Sequence, residues 1–253
     1  MARLDRDGLQ IWYEDHGKGP AVLLTHGYSA TSRMWAPQVR GLAERFRLIT
    51  WDLRGHGRSD SPDDPAAYGE KRCVDDMSAI LDACGVERAA IGGLSLGGYL
   101  SLAFHLELPV RVRALLLFDT GPGYRNEEGR RRWNALAESY ARAFEERGLA
   151  ALGSGAEVRA GEHRSARGLA LAARGMLAQR DARVIDSLPE IRVPTLVLWG
   201  ARDEAFFKPS EYMAAKIPAA RRVILPGAGH AANLDQPQAF NVAVAEFLDS
   251  IPS

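Results

Sequence analysis

Ala89-Ala90-Ile91-Gly92-Gly93-Leu94-Ser95-Leu96-Gly97-Gly98-Tyr99 is a short apolar run that ends in glycines around one serine and then turns helical. It reads as a strand, a sharp turn and a helix. A serine at the tip of such a turn takes a strained backbone conformation, so the residues two before and two after it must be small; here they are Gly93 and Gly97. Ser95 is thereby the candidate nucleophile. The turn lifts its hydroxyl clear of the sheet and aims the Leu96 amide at a bound carbonyl oxygen, while the helix N-terminus adds its dipole. Alone, Gly-x-Ser-x-Gly arises in many glycine-rich turns, so the rest of the chain has to decide.

Two later apolar runs end on loops that carry what such a serine needs. Pro194-Thr195-Leu196-Val197-Leu198-Trp199 leads into Gly200-Ala201-Arg202-Asp203-Glu204, and Arg222-Val223-Ile224-Leu225 leads into Pro226-Gly227-Ala228-Gly229-His230. A serine hydroxyl attacks poorly until an imidazole takes its proton, and the imidazole needs a carboxylate to fix its tautomer and stabilise the imidazolium. Ser95, Asp203 and His230 form that candidate set, with Glu204 and Asp119 as rival acids. Upstream, the buried-strand run Ala21-Val22-Leu23-Leu24-Thr25 stops at His26-Gly27-Tyr28. Its loop leaves the carboxyl end of a central strand, where open α/β sheets bind ligands, so the Tyr28 amide is the second candidate oxyanion donor. Ser29, Trp35 and the Tyr28 ring are expected at the pocket mouth. Tyr124, Trp133, Met176 and Phe206 are weaker pocket candidates.

Between these landmarks, strands alternate with helices. Leu9 to Glu14 reads as a strand, and the turn from His16 to Pro20 predicts an antiparallel edge hairpin. A helix over 35–45 precedes the strand Arg47 to Trp51. The segment Asp52-Leu53-Arg54-Gly55-His56-Gly57-Arg58-Ser59 lacks the Lys-Ser/Thr of a phosphate loop and reads as a rigid turn. His56 is then structural, and Asp52 and Arg54 satisfy loop amides or each other. Helices over 70–84 and 95–107 flank the nucleophile strand, followed by the strand Val112 to Phe118. The pattern specifies a doubly wound, mostly parallel α/β sheet.

Thr120 to Pro189 differs: it holds twelve Arg, no Lys and nine acidic residues, and no strand-like run. Helices are expected over 127–147 and 164–180, with Trp133, Leu136, Tyr140 and Phe144 on one stripe. Leaving from a strand's carboxyl end, this stretch is expected to pack over the site as a helical cap. The division is then 1–119 for the first part of the core, 120–189 for the cap and 190–253 for the rest. A helix over 238–251 closes the chain.

Composition narrows the function. With 32 basic and 32 acidic residues the formal charge is zero, which favours a small-molecule partner over nucleic acid or an anionic membrane. The N-terminus lacks the apolar core of a signal peptide and no run is long enough to span a bilayer, so a cytoplasmic protein is expected. Cys73 and Cys84 lie roughly 16 Å apart on one helix at about 1.5 Å per residue. They are expected as free thiols in the core. The six histidines show no ligand spacing, so neither a metal nor an organic cofactor is expected.

These pieces together resemble the α/β-hydrolase fold family: His26-Gly27-Tyr28, Asp52 to Ser59, Gly93-Leu94-Ser95-Leu96-Gly97-Gly98, Gly200-Ala201-Arg202-Asp203 and Gly227-Ala228-Gly229-His230, in family order over nearly the whole length. The resemblance implies a Ser95, Asp203, His230 triad, an oxyanion hole from the Tyr28 and Leu96 amides, and a helical cap. Epoxide hydrolases and haloalkane dehalogenases of this fold use an aspartate nucleophile, which Ser95 argues against. The chain is similar to small bacterial esterases, enol-lactonases and perhydrolases, implying two-step acyl transfer on a small ester or lactone. The lyase of menaquinone synthesis, also similar, has an arginine after the Gly-Gly pair where this chain has Tyr99. A second alternative is a hydrolase-like ligand sensor that turns over slowly.

Overall fold

The apolar runs pair into one sheet because each can be buried on both sides. A computed structural model describes residues 2–251. Its eight strands are β1 (Ala2–Arg6), β2 (Leu9–His16), β3 (Ala21–Thr25), β4 (Arg47–Trp51), β5 (Ala89–Leu94), β6 (Val112–Phe118), β7 (Thr195–Gly200) and β8 (Arg221–Leu225). Their order is β1-β2-β4-β3-β5-β6-β7-β8, with β1 and β2 antiparallel and the rest parallel.

Successive residues of a strand face opposite sides, and here both sides are dry. Leu115 and Leu117 join one core with Trp51, Phe104 and Trp199, while Leu116 and Phe118 join the other with Trp35 and Phe240. The helices that cover the sheet are α1 (Ala36–Leu42), α2 (Glu70–Ala83) and α3 (Leu96–Glu107). Between β6 and β7 lie α4 (Glu127–Arg147), α5 (Ala156–Arg159), α6 (Ala166–Ala172) and α7 (Arg183–Ser187). The chain ends in α8 (Glu204–Lys216), α9 (Ala232–Asp235) and α10 (Pro237–Asp249). Cys73 is buried in the first core and Cys84 caps α2; both are free thiols.

Several elements differ from expectation. The edge hairpin joins β1 to β2, and the turn after His16 instead carries the chain past β4 to β3, so β2 lies one strand in from the edge. The expected helix over 35–45 is a 3-10 turn, Ser32–Trp35, followed by α1. The stretch 164–180 is α6, capped by the Ser165 hydroxyl on the Gly168 amide (2.9 Å), and then a π turn, Ala173–Leu177. Arg54 pairs with Asp76 of α2 at 2.6 and 2.8 Å rather than with Asp52, whose carboxylate takes the Ser32 and Arg58 amides.

Candidate active site

β3 leads outward to β4 on one side while β5 starts the other wing, so the loops after β3 and β5 part at the sheet's switch point. Ser95 sits there at φ 56° and ψ −116°, between the end of β5 and the start of α3. Its amide donates to the Phe118 carbonyl at 3.0 Å, and its own carbonyl accepts from the Thr120 hydroxyl at 2.5 Å. The glycines around it are sterically required. A Cβ on Gly93 would stand 2.4 Å from the Thr25 carbonyl oxygen, and one on Gly97 would stand 2.1 Å from the same atom. Neither position has room for a side chain against backbone.

The Leu96 amide opens α3, so no intrahelical carbonyl reaches it. The Tyr28 amide has no hydrogen-bond partner among the described residues. Their loops touch, since a Cβ on Gly27 would lie 3.4 Å from Ser95 Cβ. The loops that carry these two amides therefore meet beside Ser95.

Asp203 follows β7, and His230 follows β8. His230 Nδ1 and Asp203 Oδ2 are 2.8 Å apart, which makes Nδ1 the donor and leaves Nε2 to accept a proton. Asp203 is 5% exposed, and it also caps α8, its Oδ1 accepting the Phe206 amide at 3.4 Å. The Phe206 ring stacks on the imidazole with centroids 5.0 Å apart. Ser95 makes no hydrogen bond to His230 among the described residues; in unliganded sites this contact is often long and tightens around substrate.

The rival acids are placed elsewhere. Glu204 is exposed at the start of α8. Asp119 ends β6 at φ 43°, fully buried, with Oδ1 accepting the Gly200 amide at 2.8 Å and Oδ2 unpartnered. Burial pushes its carboxyl well above the ordinary carboxylate range, the Asp203 charge adds to this, and the Gly200 amide offsets part.

A cavity of about 340 Å³ opens above Ser95, near the lower end for small-molecule sites. Of the expected pocket residues, Tyr124, Trp133 and Phe206 line it. Trp35 does not: it is 0% exposed beneath the loop, with Phe118 and Phe240 centroids at 6.1 and 6.5 Å. Nor does the Tyr28 ring, which turns under the insertion, donates to the Leu169 carbonyl at 2.9 Å and stacks on Tyr140 at 6.0 Å. Met176 is core. Tyr99, noted in the sequence only as the residue after the Gly-Gly pair, lines the cavity, and so do Gln179, Lys208 and Tyr212, which sequence reasoning missed. Only Tyr99 carried a signal, lying one helical turn beyond Ser95; its hydroxyl donates to Glu70 Oε2 at 2.8 Å. No group of three or more metal-ligating side chains is gathered among the described residues.

Over residues 22–243 the chain matches the model of a protein family described as the alpha/beta hydrolase family. It is 30% identical over 266 residues to a Bacillus subtilis (strain 168) protein provisionally named 2-succinyl-6-hydroxy-2,4-cyclohexadiene-1-carboxylate synthase, with 97% of each chain covered. To the 3-oxoadipate enol-lactonase 1 of Acinetobacter baylyi it is 29% identical, covering 98% of this chain and 96% of that one. A thermophilic esterase from Thermogutta terrifontis, solved with malate bound, superposes with a TM-score of 0.84 at 29% identity over 100% of both chains.

Proposed function

The chain belongs to the alpha/beta hydrolase family and is an enzyme of that type, and from this premise we propose that it is a serine hydrolase acting on a small carboxylic ester or lactone. The observation that carries the proposal is the His230–Asp203 pair at 2.8 Å, on loops that share the sheet edge with a strained Ser95 at the cavity floor.

Ser95 Oγ attacks the acyl carbon as His230 Nε2 takes its proton, and the Tyr28 and Leu96 amides hold the oxyanion. The imidazolium, stabilised by Asp203, then protonates the leaving alkoxide; in a lactone this oxygen stays tethered to the acyl group. Water deprotonated by the same imidazole releases the acid and restores the serine. Every step uses groups of this chain. Residues 120–189 act as a cap over the core formed by 1–119 and 190–253, with Tyr124 and Trp133 facing the substrate. A cavity of about 340 Å³ with aromatic walls suits short acyl and alcohol parts, as an enol-lactonase-like or esterase-like activity requires. Among the described residues no helix is long and apolar enough to cross a membrane.

The synthase name of the Bacillus subtilis relative gives a second reading, a lyase acting on an acidic substrate. Tyr99 weighs against it: the cavity wall there is a phenol whose hydroxyl is engaged by Glu70. A panel of short p-nitrophenyl esters and lactones separates the two. Multiple turnover that falls about 10⁴-fold or more in Ser95→Ala is expected, with a phosphonate probe labelling the Ser95 peptide. No turnover of any ester or lactone, or full activity in Ser95→Ala, overturns the hydrolase assignment.

A further inference from the structure

The cap meets the loop after β3 at a polar seam built from two histidines that acyl transfer does not use. Ser29 directly follows Tyr28 and stands at φ 55°, a left-handed conformation that a serine adopts only when its surroundings hold it. Both of its backbone groups are held by imidazoles. The Ser29 amide donates to His56 Nε2 at 3.2 Å, and the Ser29 carbonyl accepts from His163 Nε2 at 3.0 Å. His163 Nδ1 accepts the Gly57 amide at 3.3 Å, and His56 Nδ1 donates to the Arg54 carbonyl at 3.0 Å.

An amide N–H can only donate and a carbonyl can only accept, so each ring is neutral and confined to one tautomer. Burial lowers both imidazoles, in agreement with those partners. The rings of His56 and His163 meet edge to face with centroids 5.7 Å apart. His56 comes from the core, whereas His163 comes from the cap segment between α5 and α6. That segment lies close on the loop: a Cβ on Gly161 would stand 2.2 Å from the Thr31 hydroxyl.

We propose that His163 is a positioning residue delivered by the cap, whose Nε2–H bond to the Ser29 carbonyl holds the left-handed turn and so fixes the direction of the Tyr28 amide. The inference rests on the reading of Tyr28 as an oxyanion donor. Its consequence is that the oxyanion hole is complete only when the cap is seated. Seating the cap and stabilising the transition state become one event.

Three variants test this, with kcat, KM, melting temperature and phenylboronate affinity as readouts. A boronate adduct on Ser95 places an oxygen in the oxyanion hole, so it reports the donor's position independently of turnover. His163→Leu removes both bonds and is expected to lower kcat about tenfold, within the penalty for a misplaced donor, with KM inside twofold. Boronate affinity falls in parallel. His163→Gln places an amide nitrogen where Nε2 stands and recovers kcat to within about threefold of wild type, whereas His163→Asn reaches only the Gly57 side and does not. If His163→Leu fails to fold, the Gln and Asn variants decide on the same criteria. Equal kcat and boronate affinity in the Gln and Asn variants, or losses confined to KM or melting temperature, overturn the inference. Wild-type turnover that disappears in Ser95→Ala keeps the hydrolase reading standing in that event. A wild type that hydrolyses nothing takes both down.

Discussion

Asp119 and Asp203 stand at the ends of neighbouring strands, yet only Asp203 reaches an imidazole. Asp119 spends one oxygen on the Gly200 amide and leaves the other buried without a partner. The two carboxylates therefore separate on substitution. Asp203→Asn keeps the shape but stabilises the wrong His230 tautomer, and kcat for a p-nitrophenyl ester is expected to fall about 10⁴-fold. Asp119→Asn retains the acceptor for Gly200 and adds a donor beside Asp203, so kcat is expected to stay within about threefold. Stability moves the other way. A carboxyl raised above its unfolded value contributes stability at low pH that is lost as pH rises through the folded value. At pH 8 the Asp119→Asn variant is expected to melt above wild type, with the gap closing toward acid. A large kcat loss in Asp119→Asn with little in Asp203→Asn would exchange the two roles.

The turn between β5 and α3 shows the same constraint at the scale of an element. Gly97→Ala drives a Cβ to 2.1 Å from the Thr25 carbonyl oxygen, a backbone atom in the neighbouring central strand that cannot swing aside. Overpacking of this kind costs about 3 kcal/mol, or roughly 10 °C in melting temperature for a chain of this size. A melting curve matching wild type would show that the turn relaxes. Elements this constrained are legible in sequence, as is α4, which runs between an Asn126 side-chain cap and Gly148 at φ 59°. β1 was not legible because, as an edge strand, it turns only Leu4 toward the core between charged neighbours. α8 escaped notice because it contains Pro209 and buries only Ser210 and Met213, too few for a helical stripe. The loops that carry Ser95, Asp203 and His230 were readable from glycine spacing, whereas Gln179 lines the cavity through contacts distant in sequence: its backbone pairs with Asn134, and its side chain accepts the Tyr124 amide at 3.1 Å. Trp35 shows the opposite failure, an aromatic near the site loop that the second sheet face claims for its core.

Across the whole molecule, the join between the helical insertion and the sheet loops depends on histidines remaining neutral. His26, His56 and His163 are at most 9% exposed, and each accepts an amide proton on one ring nitrogen. Burial lowers all three, His26 down to about 4, while the Asp52 charge opposes the shift at His26 and His163. The unfolded chain titrates these groups near about 6.5 and so binds more protons than the folded chain below that pH. The stability they protect is complete above about 6.5 and drains away as pH falls toward their lowered folded values. Asp119 and Glu70, both raised by burial, work in the opposite direction, while His105, also lowered by burial, adds to the three. Melting temperature is therefore expected to drop clearly between pH 7.5 and pH 5, and to drop less in His163→Leu, which has one fewer proton to take up on unfolding. Because protonated His163 can no longer accept the Gly57 amide, the seam should open before the sheet does. Hydrogen exchange at pH 5 would then rise at residues 26–31 and 156–165 ahead of β5 and β6. Uniform loss of protection across loops and central strands, or a melting temperature flat from pH 7.5 to pH 5, would remove the histidines from any role in acid lability.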